Sequence, residues 1–150
     1  MGIETYLLSS ALNGVVAQRL ARKICPACIT KYFPAEHVLH DAGLKDMAGR
    51  PFQKGLGCQQ CHDTGFKGRM GIYEIMNVTP ELRRLIHNAC PTHEIRARLR
   101  QQGMLTLRQE GVALAVDGKS SLEEVLRVTH LDDTDDVAHQ PVAPAGRVAA

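Results

Sequence analysis

Apolar residues recur with helical spacing in the second half of the chain. After the capping residue Thr79 and Pro80 at the first helical position, leucine, isoleucine and alanine follow at intervals of three and four. Pro91 is expected to end that helix. Further short helices are predicted to begin near three later capping residues, Thr92, Thr106 and Ser121. Because the connections are short, residues 79–131 are predicted to form one small helical bundle.

The first half of the chain has weaker periodicity. Small and apolar residues over 5–14 predict a helix, whereas residues 15–25 are compatible with either a helix or a strand. One short helix is expected around residues 35–42. Alternating apolar and polar side chains over 72–78 favour a half-buried strand. The pattern therefore predicts a mixed α/β chain whose helices gather towards the C-terminal end.

Composition and charge restrict the class of protein. The chain has 150 residues, of which 44% are hydrophobic and 4% aromatic, with a formal net charge of +2. Four aspartates, two prolines and small residues predict a disordered tail over 132–150. The remaining residues, 1–131, are mildly basic, which is too weak to indicate nucleic-acid binding. No apolar run approaches the roughly 18 residues of a membrane span, so we expect a soluble, cytoplasmic protein.

Four of the five cysteines form two Cys-x-x-Cys pairs, Cys25 with Cys28 and Cys58 with Cys61. This spacing is typical of structural zinc sites, in which four thiolates complete a tetrahedron and leave no open position for catalysis. The residues between the pairs include few large apolar side chains, so little core is expected there and zinc would supply folding free energy. Cys90 is left over and is expected to be a small buried hydrophobe on a helical face.

Other uses of these residues stay open. Four unligated thiols are possible, and redox chemistry is disfavoured because no βαβ unit accompanies the cysteines. Three histidines could replace a cysteine as ligand: His37, His40 and His62. The chain contains no phosphate-binding Gly-x-x-x-x-Gly-Lys-Ser/Thr motif, so it is expected neither to bind nor to hydrolyse ATP by itself.

Several separated motifs resemble one family in its own order. They are LNGVVAQRLARKICPAC at 12–28, GCQQCHDTGFKGRMGIYE at 57–74, QGMLTL at 102–107 and LEEVLRVT at 122–129. Over residues 4–129 the chain resembles the C-terminal part of the secretion ATPases. This family comprises general secretion pathway protein E of type II secretion and its type IV pilus assembly relatives.

The resemblance implies the end of a RecA-like motor core that carries an inserted tetracysteine zinc module. The core would contribute a helix and strand over 1–24, and a glycine-rich turn and strand over 62–78. The zinc module would occupy 25–61, and the helical bundle would follow over 79–131. The resemblance favours strands at 15–24 and 69–78. It also implies that the family's zinc ligands correspond to the cysteines of the two pairs, Cys25, Cys28, Cys58 and Cys61.

The family's full-length subunits form hexameric rings on the cytoplasmic face of the bacterial inner membrane. They use ATP and Mg²⁺ to move a pilus or pseudopilus and work against a membrane platform protein. The Walker A loop, the Walker B segment and the histidine box precede the matched region. The chain is therefore expected to be an inactive C-terminal fragment, and Met1-Gly2 resembles an imposed start. Its expected partners are the rest of the motor, neighbouring subunits and the platform protein.

Three arginines could be ordinary solvated charges on strand edges: Arg19, Arg22 and Arg69. The resemblance makes Arg69 a candidate for approaching nucleotide phosphates in the assembled ring, because flanking glycines allow close approach and a guanidinium suits phosphate oxygens.

A different class of function is a stand-alone zinc-ribbon module that binds nucleic acid. Each Cys-x-x-Cys pair with its two intervening residues is called a knuckle below. The support for this module is thin and consists of four residues near the knuckles: Phe52, Lys54, Phe66 and Lys67. A chaperone-type cysteine-rich domain would need more repeats than the single one present.

Overall fold

The computed structural model describes residues 3–129, and these form a mixed α/β structure. The helices are α1 (Thr5–Ala11), α2 (Glu36–Asp41), α3 (Pro80–His87), α4 (Thr92–Gln101), α5 (Leu107–Val116) and α6 (Leu122–Thr129). The strands are β1 (Gly14–Ile24), β2 (Ile29–Tyr32), β3 (Phe52–Gly55) and β4 (Phe66–Asn77), and single 3-10 turns span Lys45–Met47 and Gln59–Cys61. The tail predicted to be disordered, 132–150, lies outside the described residues.

Two small sheets are formed by these strands. β1 pairs with β4, and β2 pairs antiparallel with β3 so that Tyr32 lies opposite Phe52 and Ile29 opposite Gly55. The strand predicted over 15–24 is confirmed. The strand predicted over 69–78 is also present, although β4 begins earlier, at Phe66. Pairing between distant segments supplies the hydrogen bonds that local periodicity does not reveal.

The chain divides into two compact units, and this division corrects the prediction of one helical bundle over 79–131. Among the described residues, the first unit comprises 3–17 and 73–106, and the second comprises 18–72 and 107–129. Helices α3 and α4 therefore belong to the first unit, whereas α5 and α6 belong to the second. Residues 25–61, the predicted zinc module, lie in the second unit together with α5 and α6.

In the first unit, side chains fasten α3 to its neighbours. The Thr79 hydroxyl accepts the backbone N–H of Leu82 at 3.3 Å, which confirms the predicted N-cap. The Arg83 guanidinium donates to the Ser10 carbonyl at 3.1 Å and satisfies the C-terminal end of α1. The prediction that Thr92 caps the next helix was wrong. Thr92 is the first helical residue, and Pro91, which lacks a side-chain acceptor, occupies the capping position.

The second unit has its apolar core where little core was expected. Residues from the segment between the cysteine pairs bury their side chains against α5 and α6. The members of this core are Leu39, Ala42, Leu44, Phe52, Val112, Ala115, Leu122 and Val125. The expectation was wrong because it counted only residues within the segment, whereas half of the core comes from helices about 60 residues later. None of the described helices is long and apolar enough to cross a membrane.

Candidate metal centre

Four cysteine sulfurs meet next to the end of the β2–β3 pair at which Ile29 lies opposite Gly55. Cys25 follows β1, Cys28 precedes β2, Cys58 lies just before the second 3-10 turn and Cys61 ends that turn. Their sulfur atoms all lie within 4.8 Å of one another. The two pairs predicted from the Cys-x-x-Cys spacing are therefore brought together into one cluster that could hold a metal ion.

The sulfur separations fit tetrahedral coordination. Cys25 and Cys58 are separated by 3.9 Å, Cys28 and Cys61 by 3.8 Å, and Cys58 and Cys61 by 3.7 Å, measured between sulfur atoms. A tetrahedral zinc ion with Zn–S bonds of about 2.3 Å places its sulfurs about 3.8 Å apart. All four thiols are free, and those of Cys25 and Cys61 are buried. The donor set and its spacing suit a closed, four-sulfur structural site.

Backbone hydrogen bonds hold the two knuckles together. The Leu56 N–H donates to the Cys28 carbonyl at 3.0 Å and extends the antiparallel pairing of β2 with β3 to the first knuckle. The Cys25 N–H donates to the Gly65 carbonyl at 2.9 Å, so the first knuckle is tied directly to the segment that follows the second. The β2–β3 pairing and these two backbone bonds hold the cysteine-bearing segments next to each other.

Gly55, at the end of β3, and Gly65, just before β4, touch, and neither has room for a side chain. A Cβ atom on Gly55 would lie 2.0 Å from the Gly65 carbonyl oxygen, and one on Gly65 would lie 2.5 Å from the Gly55 carbonyl oxygen. Gly65 also has a left-handed backbone with φ of 74°. This contact brings the second knuckle close to β3.

Hydrogen bonds lower the pKa of the Cys61 thiol. Burial by itself raises the pKa of the Cys61 thiol, but N–H groups of Cys58 and Gly65 donate to its sulfur at 3.2 and 3.3 Å. Together with bonds to neighbouring thiols they lower this pKa to about 6. Burial raises the pKa of the Cys28 thiol to about 11 despite a bond from the Gly57 backbone. These two N–H donors favour the thiolate form of Cys61.

A buried carboxylate that sequence reasoning missed, Glu124, lies between α6 and β1. The Glu124 side chain is only 1% exposed and accepts from the Arg22 guanidinium at 2.7 Å and from Arg127 at 2.8 and 2.9 Å. Arg22 pairs with this buried carboxylate because α6 folds back onto β1, while its own side chain is 43% exposed. Glutamate in an exposed-looking Leu-Glu-Glu-Val helix gives no local signal of burial.

The other predicted site residues lie apart from the sulfurs. Arg69 and Arg19 lie on β4 and β1, respectively, with exposed side chains. The three histidines weighed as alternative ligands are exposed and are not members of the cluster: His37, His40 and His62. Cys90 is half-buried in the turn between α3 and α4. The prediction of a buried cysteine on a helical face was wrong, because α3 ends at His87 and the next residues form the turn before Pro91.

Three of the four residues that suggested nucleic-acid binding are engaged in the fold, and the fourth, Lys67, is exposed. Phe52 is buried in the core, and the Phe66 ring lies 4.1 Å below the guanidinium carbon of Arg22. The Lys54 ammonium lies over the Tyr32 ring at 4.8 Å. An open aromatic platform for stacking bases would need such rings to be exposed. The zinc-ribbon alternative is therefore not favoured.

The fold and site define a mixed α/β protein with a four-cysteine cluster able to hold a metal ion. The family model for type II/IV secretion system proteins matches residues 1–127, and the chain belongs to this family. It is 40% identical over 131 residues to the type IV pilus assembly ATPase PilB of Thermus thermophilus, covering 86% of this chain and 15% of that protein. It is 40% identical over 129 residues to the type II secretion system protein E of Pseudomonas aeruginosa, covering 86% of this chain and 26% of that protein.

A third relative has the same kind of name and a similar coverage. The type IV pilus assembly ATPase PilB of Myxococcus xanthus is 40% identical over 138 residues, which are 88% of this chain and 24% of that protein. The chain thus spans about a quarter or less of the length of these relatives. The resemblance to the secretion and pilus ATPases inferred from the motifs is confirmed.

Proposed function

We propose that the chain supplies the structural zinc module and a helical interaction surface of a motor ATPase in type II secretion or type IV pilus assembly. The observation that carries this proposal is the four-sulfur cluster, with separations suited to zinc, in a chain that belongs to the secretion family. Zinc bound by Cys25, Cys28, Cys58 and Cys61 would have no open coordination position. Its role is to hold the two knuckles and the adjoining core in one arrangement.

The hydrolysis of ATP belongs, in this proposal, to the rest of the motor. The chain would sit at the end of a RecA-like core within a hexameric ring, at the cytoplasmic face of the inner membrane beside a platform protein. ATP and Mg²⁺ would be bound by segments that carry the phosphate-binding motifs, which this sequence lacks. Arg69 would approach the nucleotide phosphates from a ring interface. Its exposure on β4 supports this role, since a buried arginine could not reach a ligand.

Exposed apolar side chains support an interface with the rest of the motor. Val16 on β1 is 61% exposed and Ile75 on β4 is 55% exposed. Other exposed large apolar residues on α1, β1 and β4 are Tyr6, Leu7, Val15, Leu20 and Tyr73. Strands with this composition are typical of sheets covered by further layers of structure. Because the match covers only 15–26% of the length of these relatives, we propose that their remaining segments cover these strands.

Metal analysis tests the zinc proposal. We expect one zinc per purified chain, and we expect Cys58→Ser to lose most of the metal and to lower the melting temperature. Three sulfurs leave the tetrahedron incomplete, and structural zinc contributes directly to folding free energy. Inductively coupled plasma mass spectrometry measures the metal, and thermal circular dichroism measures the stability.

Cys90→Ser is the matched control, because Cys90 lies in the other compact unit and is not a member of the cluster. This variant should retain the zinc and the melting temperature of the unaltered chain. A chain without zinc, or a Cys58→Ser variant with unchanged zinc content and melting, would contradict the proposed role of the cluster.

A further inference from the structure

The buried carboxylate of Glu124 connects α6 to the strand that leads into the first knuckle. Its two oxygens accept from the Arg22 backbone N–H at 3.2 Å and from the Arg22 guanidinium at 2.7 Å. Arg127, on the same helix, donates two further bonds to this carboxylate. A carboxylate bonded at both the backbone and the side chain of one residue restricts the position of that residue as well as its charge.

The loop before α6 fixes the same part of β1. The Ser120 hydroxyl donates to the Arg22 carbonyl at 2.9 Å, and the Ile24 N–H donates to the Lys119 carbonyl at 3.1 Å. Cys25 is the next residue after Ile24. The docking of α6 against β1 therefore fixes the backbone immediately before Cys25, which carries the first sulfur of the cluster.

Arg22 also reaches the second knuckle. Its guanidinium stacks on the Phe66 ring at 4.1 Å from the centroid, and Phe66 directly follows Gly65. The Gly65 N–H donates to the Cys61 sulfur, and the Gly65 carbonyl accepts the Cys25 N–H. The path from Glu124 to the sulfurs consists of hydrogen bonds, one ring contact and short stretches of backbone, all within the second unit.

We propose that Glu124 is a positioning residue for the four-cysteine centre, so that metal binding and the docking of α6 stabilise each other. This inference rests on the proposed zinc site. Without the carboxylate, the stacked arginine loses its partner and the backbone that carries Cys25 and Gly65 gains freedom. Such freedom weakens metal binding, because ligands must be ordered at the moment the metal binds. By linkage, zinc in turn favours the docked helix.

The test measures zinc affinity of the full chain by competition with a chromophoric chelator. Glu124→Gln should bind zinc about 2- to 30-fold more weakly than the unaltered chain, which is the usual range for coupling through a contact network. Glu81→Gln is the matched control, because it breaks a carboxylate–arginine pair between α3 and α4 in the other unit. Its zinc affinity should remain unchanged. Circular dichroism below the melting temperature checks that each variant is folded.

Each outcome has a distinct meaning. An unaltered chain that binds no zinc contradicts the proposed function, whereas zinc binding with equal affinity in the unaltered chain and folded Glu124→Gln overturns the coupling alone. If Glu124→Gln does not fold, Arg22→Lys carries the test. It keeps a positive charge beside Glu124 but loses the planar stack on Phe66, so its zinc affinity should fall in the same range. Unchanged affinity in Arg22→Lys would then overturn the coupling.

Discussion

At the scale of single residues, the backbone of Gly65 supports the cysteine cluster. Its backbone is left-handed, its N–H donates to the Cys61 sulfur, and its Cα lies against the backbone of Gly55. A side chain at this position would strain the backbone and collide with the Gly55 carbonyl. Because backbone atoms of β3 cannot move aside as a flexible side chain does, both costs should appear together.

Gly65→Ala is therefore expected to destabilise the zinc-loaded chain by about 2–4 kcal/mol, from left-handed strain together with overpacking. Urea unfolding monitored by circular dichroism measures this loss. Gly43→Ala is the control, since Gly43 has a similar φ of 71° but open space where its Cβ would be. It should cost about 1–2 kcal/mol, from backbone strain alone. Equal losses in the two variants would show that the contact with Gly55 contributes nothing.

The cysteines could be predicted from the sequence, whereas Gly65 and Glu124 could not. A Cys-x-x-Cys spacing is local, and four thiols of this kind have few other uses inside a cell. The contact of Gly65 with Gly55 depends on how the chain folds back between them, which no single residue reveals. Glu124 has the sequence context of an exposed helical glutamate, and only the return of α6 to Arg22 buries it.

At the scale of elements, the ion pair between β1 and α6 has a consequence for pH. Burial alone would raise the pKa of Glu124, but bonds from Arg127 and Arg22 lower it from the usual 4.5 to about 2. Since the pKa in the folded state lies below that in the unfolded state, the charged carboxylate stabilises the fold above about pH 5. That stability is lost as the pH falls towards 2.

We expect Glu124 to contribute about 3 kcal/mol at neutral pH, relative to acid in which it is protonated. The difference in unfolding free energy between the unaltered chain and Glu124→Gln should shrink progressively from about pH 5 to about pH 2. Denaturant unfolding at several pH values measures this difference, and carboxyl-carbon NMR measures the pKa directly. A difference that does not change over this pH range would contradict the ion pair.

Elements were predictable where their signals are local. Thr79 followed by Pro80 marks the start of α3, and the structure confirms the cap. The apolar spacing of residues 15–25 suits both a helix and a strand. Only the pairing of β1 with β4 shows that this segment is a strand. The grouping of helices was mispredicted for a related reason. Helix α5 packs with α6 against Phe52 and its neighbours, and short connections carry no information about such distant partners.

At the scale of the whole molecule, β1 and β4 carry exposed apolar side chains in a chain that matches only part of each relative. The chain covers 15–26% of the length of the relatives from Thermus thermophilus and Pseudomonas aeruginosa. In the proposed motor, the strands β1 and β4 would be covered and Arg69 would face a nucleotide held elsewhere in the ring. Lys67, two residues earlier on β4, is also an exposed cation and provides a matched comparison.

In a complete motor that contains this chain, Arg69→Ala should leave folding and zinc content intact. It should reduce ATP turnover by about 10³-fold or more, because a positioned arginine stabilises charge on the transferring phosphate. Arg69→Lys should restore little, since an ammonium lacks the planar fork of a guanidinium. Lys67→Ala should have near-normal turnover. Steady-state phosphate release and zinc analysis of all three variants measure these effects. If Arg69 is only a solvated strand charge, Arg69→Ala shifts stability by about 0.5 kcal/mol or less, leaves turnover near normal and rejects the proposed role.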